Sequence, residues 1–196
     1  MNPMLRLCED VLSNHAAIEL PAHPRMIFVV HGSIAIADRT LRDDEAFGGE
    51  GAIMLKGRLA PGSGIISHEK LAGMLSTVPA GALLLRGDSV AFPPGGCPYL
   101  HRHQGPGIRC LIEGGIRIDT HGHSTAYGPG DAWYETGPDG VFAQAADRPT
   151  RFIRVMILPR AYLGKSSVEY MNEADKAKPK LQSYKIFVDM PIELQT

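Results

Sequence analysis

Gly95-Gly96-Cys97-Pro98-Tyr99-Leu100-His101-Arg102-His103 is the stretch on which the reading of this chain turns. Its two histidines stand at positions i and i+2. Successive side chains of a β-strand alternate between faces, so on a strand His101 and His103 share one face and Arg102 takes the other. Two imidazoles on one face can converge on a single ion, and neutral imidazole is a good ligand for Fe, Mn, Ni, Cu or Zn. Pro93-Pro94-Gly95-Gly96 breaks the chain just before this segment.

Working outward, residues 83–158 read almost entirely as strand and turn. Leu83-Leu84-Leu85 and Ser89-Val90-Ala91-Phe92 come first. Further strands are expected at residues 99–103, 108–112, 115–119, 131–135, 141–145 and 152–158. Short strands at regular intervals, with turn signals between them and no long helical pattern, indicate an all-β sandwich or barrel. Strands are also expected at residues 26–30, 33–37 and 52–55. Leu5, Cys8, Val11 and Leu12 are spaced for a short helix, ended by Pro21 and Pro24. Pro61-Gly62-Ser63-Gly64 reads as a loop, and His68 to Leu75 as a short helix or an irregular strand. After a possible helix from Arg160 to Leu163, Tyr184-Lys185-Ile186-Phe187-Val188 reads as a strand that cannot stand alone. It is expected to add to one of the sheets, with the short N-terminal half as one possibility.

The chain repeats itself. Residues 28–36, Phe-Val-Val-His-Gly-Ser-Ile-Ala-Ile, align without a gap on residues 110–118, Cys-Leu-Ile-Glu-Gly-Gly-Ile-Arg-Ile. Glu45-Ala46-Phe47 then aligns on Asp131-Ala132-Trp133. Each half reads strand, glycine turn, alternating strand, turn, then an acidic–alanine–aromatic strand. Two related β units are the expectation.

The second half resembles the cupin superfamily. In that family's first motif a glycine, five residues, His-x-His, a glutamate and a glycine follow in order. Gly95, His101, His103 and Gly114 match at the family's spacing, and Ile112-Glu113-Gly114 matches the motif's usual end. The second motif resembles residues 128–138, Gly-Pro-Gly-Asp-Ala-Trp-Tyr-Glu-Thr-Gly-Pro. The resemblance covers residues 82–158 well and residues 20–56 weakly. It implies an all-β, double-stranded β-helix (jelly-roll) barrel with two cupin-like units in tandem. The units are expected at residues 1–66, degenerate, and 67–158, with a C-terminal tail at 159–196 whose last strand packs back on the barrels.

Metal-binding cupins add a glutamate and a third histidine. By alignment those positions hold Gly107 and Val141. The expected site is therefore His101 and His103, with Glu135 completing a two-histidine, one-carboxylate set for a divalent transition metal. Gln104, Tyr134 and Gln144 are weaker third ligands. The first unit offers His23, Arg25 and His31 at the matching positions. A cation at Arg25 repels a metal, and His31 reads as a turn residue. His121 and His123 flank Gly122 in hairpin-turn composition, and His68 reads as a surface residue.

The bulk composition narrows the function. The 196 residues carry a net charge of −1, with 44% hydrophobic and 21% charged residues. No global field attracts nucleic acid or an anionic membrane. Lys176-Ala177-Lys178-Pro179-Lys180 reads as a solvated loop. Cys8, Cys97 and Cys110 are too few and too scattered for a disulfide framework, and they fit a reducing compartment. The first 30 residues show no signal-peptide pattern, so the cytoplasm is expected. No phosphate-binding glycine loop and no Gly-x-Ser-x-Gly or Cys-x-x-Cys is present.

Three functions follow from the resemblance. One is a metal-dependent small-molecule enzyme of dioxygenase, isomerase or decarboxylase type. The second is a non-catalytic small-ligand-binding cupin in which His101 and His103 serve as hydrogen-bonding groups. The third is a structural or assembly role built on dimer contacts. The expected partners are a small molecule and a second copy of the chain in a homodimer.

Overall fold

The chain divides into two units, one at Arg6–Lys70 and one formed by Leu71 onward together with the residues up to Leu5. The structure, a computed structural model, describes residues 3–58 and 64–194. The loop expected at Pro61-Gly62-Ser63 lies outside the described residues. Among the described residues no helix is long and apolar enough to cross a membrane.

Nearly every element is a strand. β1 (Met4–Leu12) pairs with β8 (Ile65–Met74). Between them come β2 (Ala17–Leu20), β3 (Arg25–Phe28), β4 (Ser33–Ile36), β5 (Arg39–Arg42), β6 (Ala46–Gly49) and β7 (Ile53–Gly57). The helix expected around Leu5, Cys8 and Val11 is thus a strand. These residues belong to a segment that largely alternates exposed and half-buried positions along β1, the period of a strand and not of a helix. The segment at His68–Gly73 is likewise strand. His68 is exposed and sits 3.4 Å from Glu9, in keeping with a surface residue. β2, β7, β4 and β5 form one sheet, and β3 pairs with β6. Leu12, Val29, Ile36, Leu41 and Leu55 are the core of this unit.

The second unit continues with β9 (Leu83–Phe92), β10 (His101–His103), β11 (Gly107–Glu113), β12 (Ile116–Thr120) and β13 (His123–Tyr127). It is completed by β14 (Ala132–Glu135), β15 (Phe142–Ala145), β16 (Thr150–Pro159), β17 (Val168–Tyr170) and β18 (Ser183–Ile192). A 3-10 turn covers Arg160–Tyr162, and the short α1 spans Glu173–Lys176. The five-stranded sheet has the order β14-β11-β16-β9-β18, and β12 lies between β13 and β15. The last strand therefore pairs with β9 of the second unit and does not complete the first. Val90, Phe92, Leu111, Ile118, Trp133, Val141 and Phe152 are among the residues of one apolar core.

The two units share a pairing pattern down to the register. Phe28 faces Ala46 in the first, and Cys110 faces Ala132 in the second, at the positions that align in sequence. Ile34 faces Leu41 and Gly57, as Ile116 faces Tyr127 and Ala145. The aligned turn glycines, Gly32 and Gly114, both take the left-handed backbone, with φ of +89° and +85°. At Gly114 a Cβ would also lie 2.3 Å from the Pro149 carbonyl oxygen, so the position excludes any side chain.

β9 is one ten-residue strand where the sequence suggested two apolar pieces. Arg86 and Asp88 break its apolar pattern, yet both are buried. Asp88 stands directly opposite Arg154 on β16 and accepts two hydrogen bonds from its guanidinium, at 2.7 and 3.0 Å. Arg86 donates to both carboxylate oxygens of Asp189 and to the carbonyls of Tyr162 and Lys165. A buried charge left without its partner is expensive. Asp88→Ala is therefore expected to lower the unfolding free energy by about 3–5 kcal/mol. Asp88→Ala with Arg154→Met should cost far less, because neither charge then remains alone. Urea denaturation of the two variants checks this, and equal losses would show that the pairing is not what matters.

Candidate functional site

Strand alternation places the site. His101 and His103 on β10 point inward and Arg102 outward, where it pairs with Glu169 at 2.7 Å. On β11, Gly107, Arg109 and Leu111 share the inward face, and on β14 Trp133 and Glu135 do. The backbone of His101 exchanges hydrogen bonds with Val141, at 3.0 and 2.8 Å, and the His103 N–H donates to the Gly137 carbonyl at 2.7 Å. The four polar side chains that meet are almost wholly buried: His101 is 6% exposed, His103 3%, Arg109 1% and Glu135 8%.

They line a narrow cavity of about 20 Å³ with Val90, Phe92, Trp133, Val141 and Phe152. That is room for a water-sized group and little more, since one water needs about 10–15 Å³. Arg154 and Tyr184 also reach it.

Each polar group is partly held. His101 Nδ1 lies 2.8 Å from the Tyr99 carbonyl. A carbonyl only accepts, so Nδ1 carries the proton and Nε2 keeps its lone pair. Tyr99 itself takes a left-handed φ of +62°. His103 Nδ1 lies 3.4 Å from Ser167 Oγ, and its Nε2 is 3.7 Å from Glu135 Oε2. The rings of His101 and His103 meet edge to face, with centroids 4.9 Å apart. Glu135 Oε1 accepts a hydrogen bond from Trp133 Nε1 at 2.8 Å. Arg109 Nη1 donates to the Gly107 carbonyl at 2.7 Å, and its Nη2 stands 2.7 Å from Glu135 Oε2. That last contact is an ion pair between two fully buried atoms, outside hydrogen-bond alignment.

Burial sets the charge states. It pushes His101 below the ordinary histidine value, and His103 well below, with Arg154 adding repulsion at His103. Both imidazoles are neutral at pH 7. Burial pushes Arg109 down to about 10, against the pull of Glu135, so it stays charged.

The structure brings all three expected ligands, His101, His103 and Glu135, to one cavity. It also shows why they do not fit a metal. Glu135 is already neutralised by Arg109, and a second guanidinium, Arg154, faces the same space. A divalent cation there would find no carboxylate charge left to offset its own, since Glu135 is paired with Arg109 and Asp88 with Arg154. Among the described residues no three His, Cys, Asp or Glu side chains are grouped as a metal requires. Gly107, at the family's glutamate position, has no room for a replacement. A Cβ there would lie 2.5 Å from the Val155 carbonyl oxygen, 2.7 Å from Met156 and 3.0 Å from Arg109 Nη1. The arginine thus crowds the space that a side chain at 107 would need.

The weaker candidates lie elsewhere. Gln104 donates to Glu169, Tyr134 to the Met74 carbonyl and Gln144 to the Gly95 carbonyl. His31 and His23 are exposed, and His121 occupies a turn 3.4 Å from Asp139. The sequence reading singled out none of Arg109, Arg154 and Ser167. For Arg109 the signal was present: it alternates with Gly107 and Leu111 on a strand whose interior face is core.

No family model matches this chain, and no curated protein does. Among solved structures it is similar to a cupin 2 conserved barrel domain protein from Leptotrichia buccalis. The TM-score is 0.50 at 12% identity, over 80% of this chain and 89% of that one. The fold is accordingly that of a cupin, an all-β jelly-roll barrel.

The neutral histidines give a pH dependence. In the unfolded chain they take up protons as the pH falls through about 6.5; in the native barrel they resist. Stability is therefore full above 6.5 and is lost as the pH drops below it, with a limiting slope of about 1.4 kcal/mol per pH unit for each histidine. Urea unfolding at pH 7.5 and 5.5 should show this loss, and His103→Gln should reduce it. An unchanged slope in the variant would mean that His103 is not held neutral.

Proposed function

We propose that this cupin-fold chain binds a small molecule by hydrogen bonds, in a cavity formed by His101, His103, Arg109 and Glu135, and holds no metal of its own there. The observation that carries this is the Arg109–Glu135 contact at 2.7 Å. It consumes the charge of Glu135, the carboxylate that would complete a metal site. His101, whose Nδ1 proton goes to the Tyr99 carbonyl, keeps an acceptor nitrogen among the residues that line the cavity.

A metal-dependent enzyme of dioxygenase, isomerase or decarboxylase type is the second reading. One observation favours it: two neutral imidazoles share the cavity. It requires Glu135 to leave Arg109.

The proposal extends to organisation. Matching registers in the two units support a duplicated, bicupin-like chain whose first unit has lost its polar interior. A homodimer in the cytoplasm belongs to the same reading. β18, the edge of its sheet, exposes Tyr184 and Ile186 and supplies a surface for the second copy. A net charge of −1 supports neither nucleic acid nor a membrane as partner.

Elemental mass spectrometry on the purified protein, before and after incubation with Fe, Mn, Ni, Cu and Zn, tests the central claim. Wild type and His101→Ala/His103→Ala are both expected to carry far less than one metal per chain. Near-stoichiometric metal in the wild type, lost in the variant, would overturn it.

A further inference from the structure

We propose that residues 171–182 are a strap latched over the tyrosines beside His101, with Lys180 as the latch, and that its release opens the cavity. That a guest then enters rests on the ligand-binding reading above; the latch itself does not.

The cavity is closed as it stands, with about 20 Å³ inside and both histidines almost wholly buried. Any guest larger than a water needs the wall to part. β10 and β17 form a two-stranded sheet of only three residue pairs, in which His101 faces Tyr170 and His103 faces Val168. By contrast, β9 and β16 pair along all ten residues of both strands. Beyond Tyr170 the chain leaves β17 and forms its next strand only at Ser183, where β18 begins. Between them only Asp175 and Gln182 are buried, and neither is apolar. Met171 and Leu181 are 50% and 54% exposed. The segment thus buries no large apolar side chain, and segments of that kind open locally at low free energy.

Polar contacts hold it down. Lys180 Nζ lies 3.9 Å from the centre of the Tyr170 ring and 5.5 Å from that of Tyr99. Lys178 Nζ lies 4.7 Å from the Tyr99 ring. An ammonium over an aromatic face is attracted by the ring's negative face. Lys178 is also paired with Asp175, and Lys176 with Glu173, both at 2.6 Å. Those ion pairs are internal to the segment and fix its shape, whereas the ring contacts fasten it to the barrel. At its end, Gln182 Nε2 donates to the hydroxyls of Tyr170 and Tyr184, each at 3.0 Å, and Tyr184 lines the cavity.

Tyr99 joins the latch to the site. Its ring meets both ammonium groups, and its carbonyl accepts the Nδ1 proton of His101 at 2.8 Å. Its φ of +62° is left-handed, which is uncommon for a large side chain. Such a backbone persists where its surroundings over-determine it. Here the Tyr99 N–H donates to the Cys97 thiol at 3.2 Å, the carbonyl is tied to His101, and the ring lies against the two lysines. Releasing the lysines removes one of these three restraints and leaves the ten-residue strands β9 and β16 intact.

Trp133, the single tryptophan, lines the same cavity, and its indole N–H is bonded to Glu135. Its exchange with deuterated solvent, followed by nitrogen-15 NMR on the full chain, reports opening without any ligand or metal. In Lys180→Ala the indole N–H and the backbone amides of β17 are expected to exchange about fivefold faster than in the wild type, or more. The amides of β9 and β16 should keep their wild-type rates. Lys180→Arg, which keeps a cation over the rings, should exchange as the wild type does. Lys180 is exposed, so neither variant disturbs the core. Unchanged exchange of the indole N–H in Lys180→Ala would overturn the latch. Equal acceleration in β9 and β16 would overturn it too, because the whole barrel would then be opening. Near-stoichiometric metal at His101 and His103 would instead overturn the ligand-binding reading and leave the latch standing.

Discussion

A guanidinium and a carboxylate enclosed together in a small barrel determine what this cavity can do. Arg109 and Glu135 reach it from neighbouring strands, where Arg109 stands opposite Trp133 and Glu135 opposite Gly107. The same register brings the indole N–H of Trp133 onto the far oxygen of Glu135. The carboxylate is thus fixed from both sides. The imidazoles beside it meet a well that is polar but electrically balanced. Balance, more than the identity of any one donor, separates this cavity from a chelating one. In a chelating site the carboxylate's charge is left for the cation.

The first unit shows the same frame without the pair. By the matched registers, Arg109 corresponds to Ile27, Trp133 to Phe47, and Glu135 to Gly49. Both charges are absent together. That is the pattern expected if each is tolerable inside only with the other, since a lone buried charge costs several kcal/mol. Arg25 corresponds to Gly107, and there the guanidinium turns to the carbonyls of Pro21 and Gly51.

Much of this was legible in the sequence. Alternation gave most of the strands of the second unit, the shared face of His101 and His103, and the outward turn of Arg102. The repeat was visible because its turn glycine and its acidic–alanine–aromatic strand carry backbone requirements that survive changes in side chain. Three features were not legible, and each involves a partner distant in sequence. Arg86 and Asp88 appeared to interrupt a strand because their partners, Asp189 and Arg154, lie far along the chain. The last strand was recognisable, but nothing local indicates that its neighbour is β9. Glu135 looked available as a ligand because no rule of spacing pairs it with Arg109. Leu5, Cys8 and Val11 misled in a different way. Their i, i+3 spacing fits a helix, but the segment between them alternates as a strand does.

Stability alone does not account for the polar interior. Replacing a buried ion pair with well-packed apolar groups of similar volume is often neutral or favourable. The first unit does without either charge, with Ile27 and Gly49 in the same register. The second unit instead encloses Arg109, Glu135, Arg154 and Asp88, all nearly free of solvent, around two neutral imidazoles. Asp88 and Arg154 satisfy one another with two directed hydrogen bonds, and they read as structural. Arg109 and Glu135 are held less symmetrically: their 2.7 Å contact is an ion pair outside hydrogen-bond alignment, and both side chains line the cavity with the two imidazoles. A pair kept at the wall of a cavity, where apolar groups would serve the barrel as well, fixes the charge balance that any guest meets.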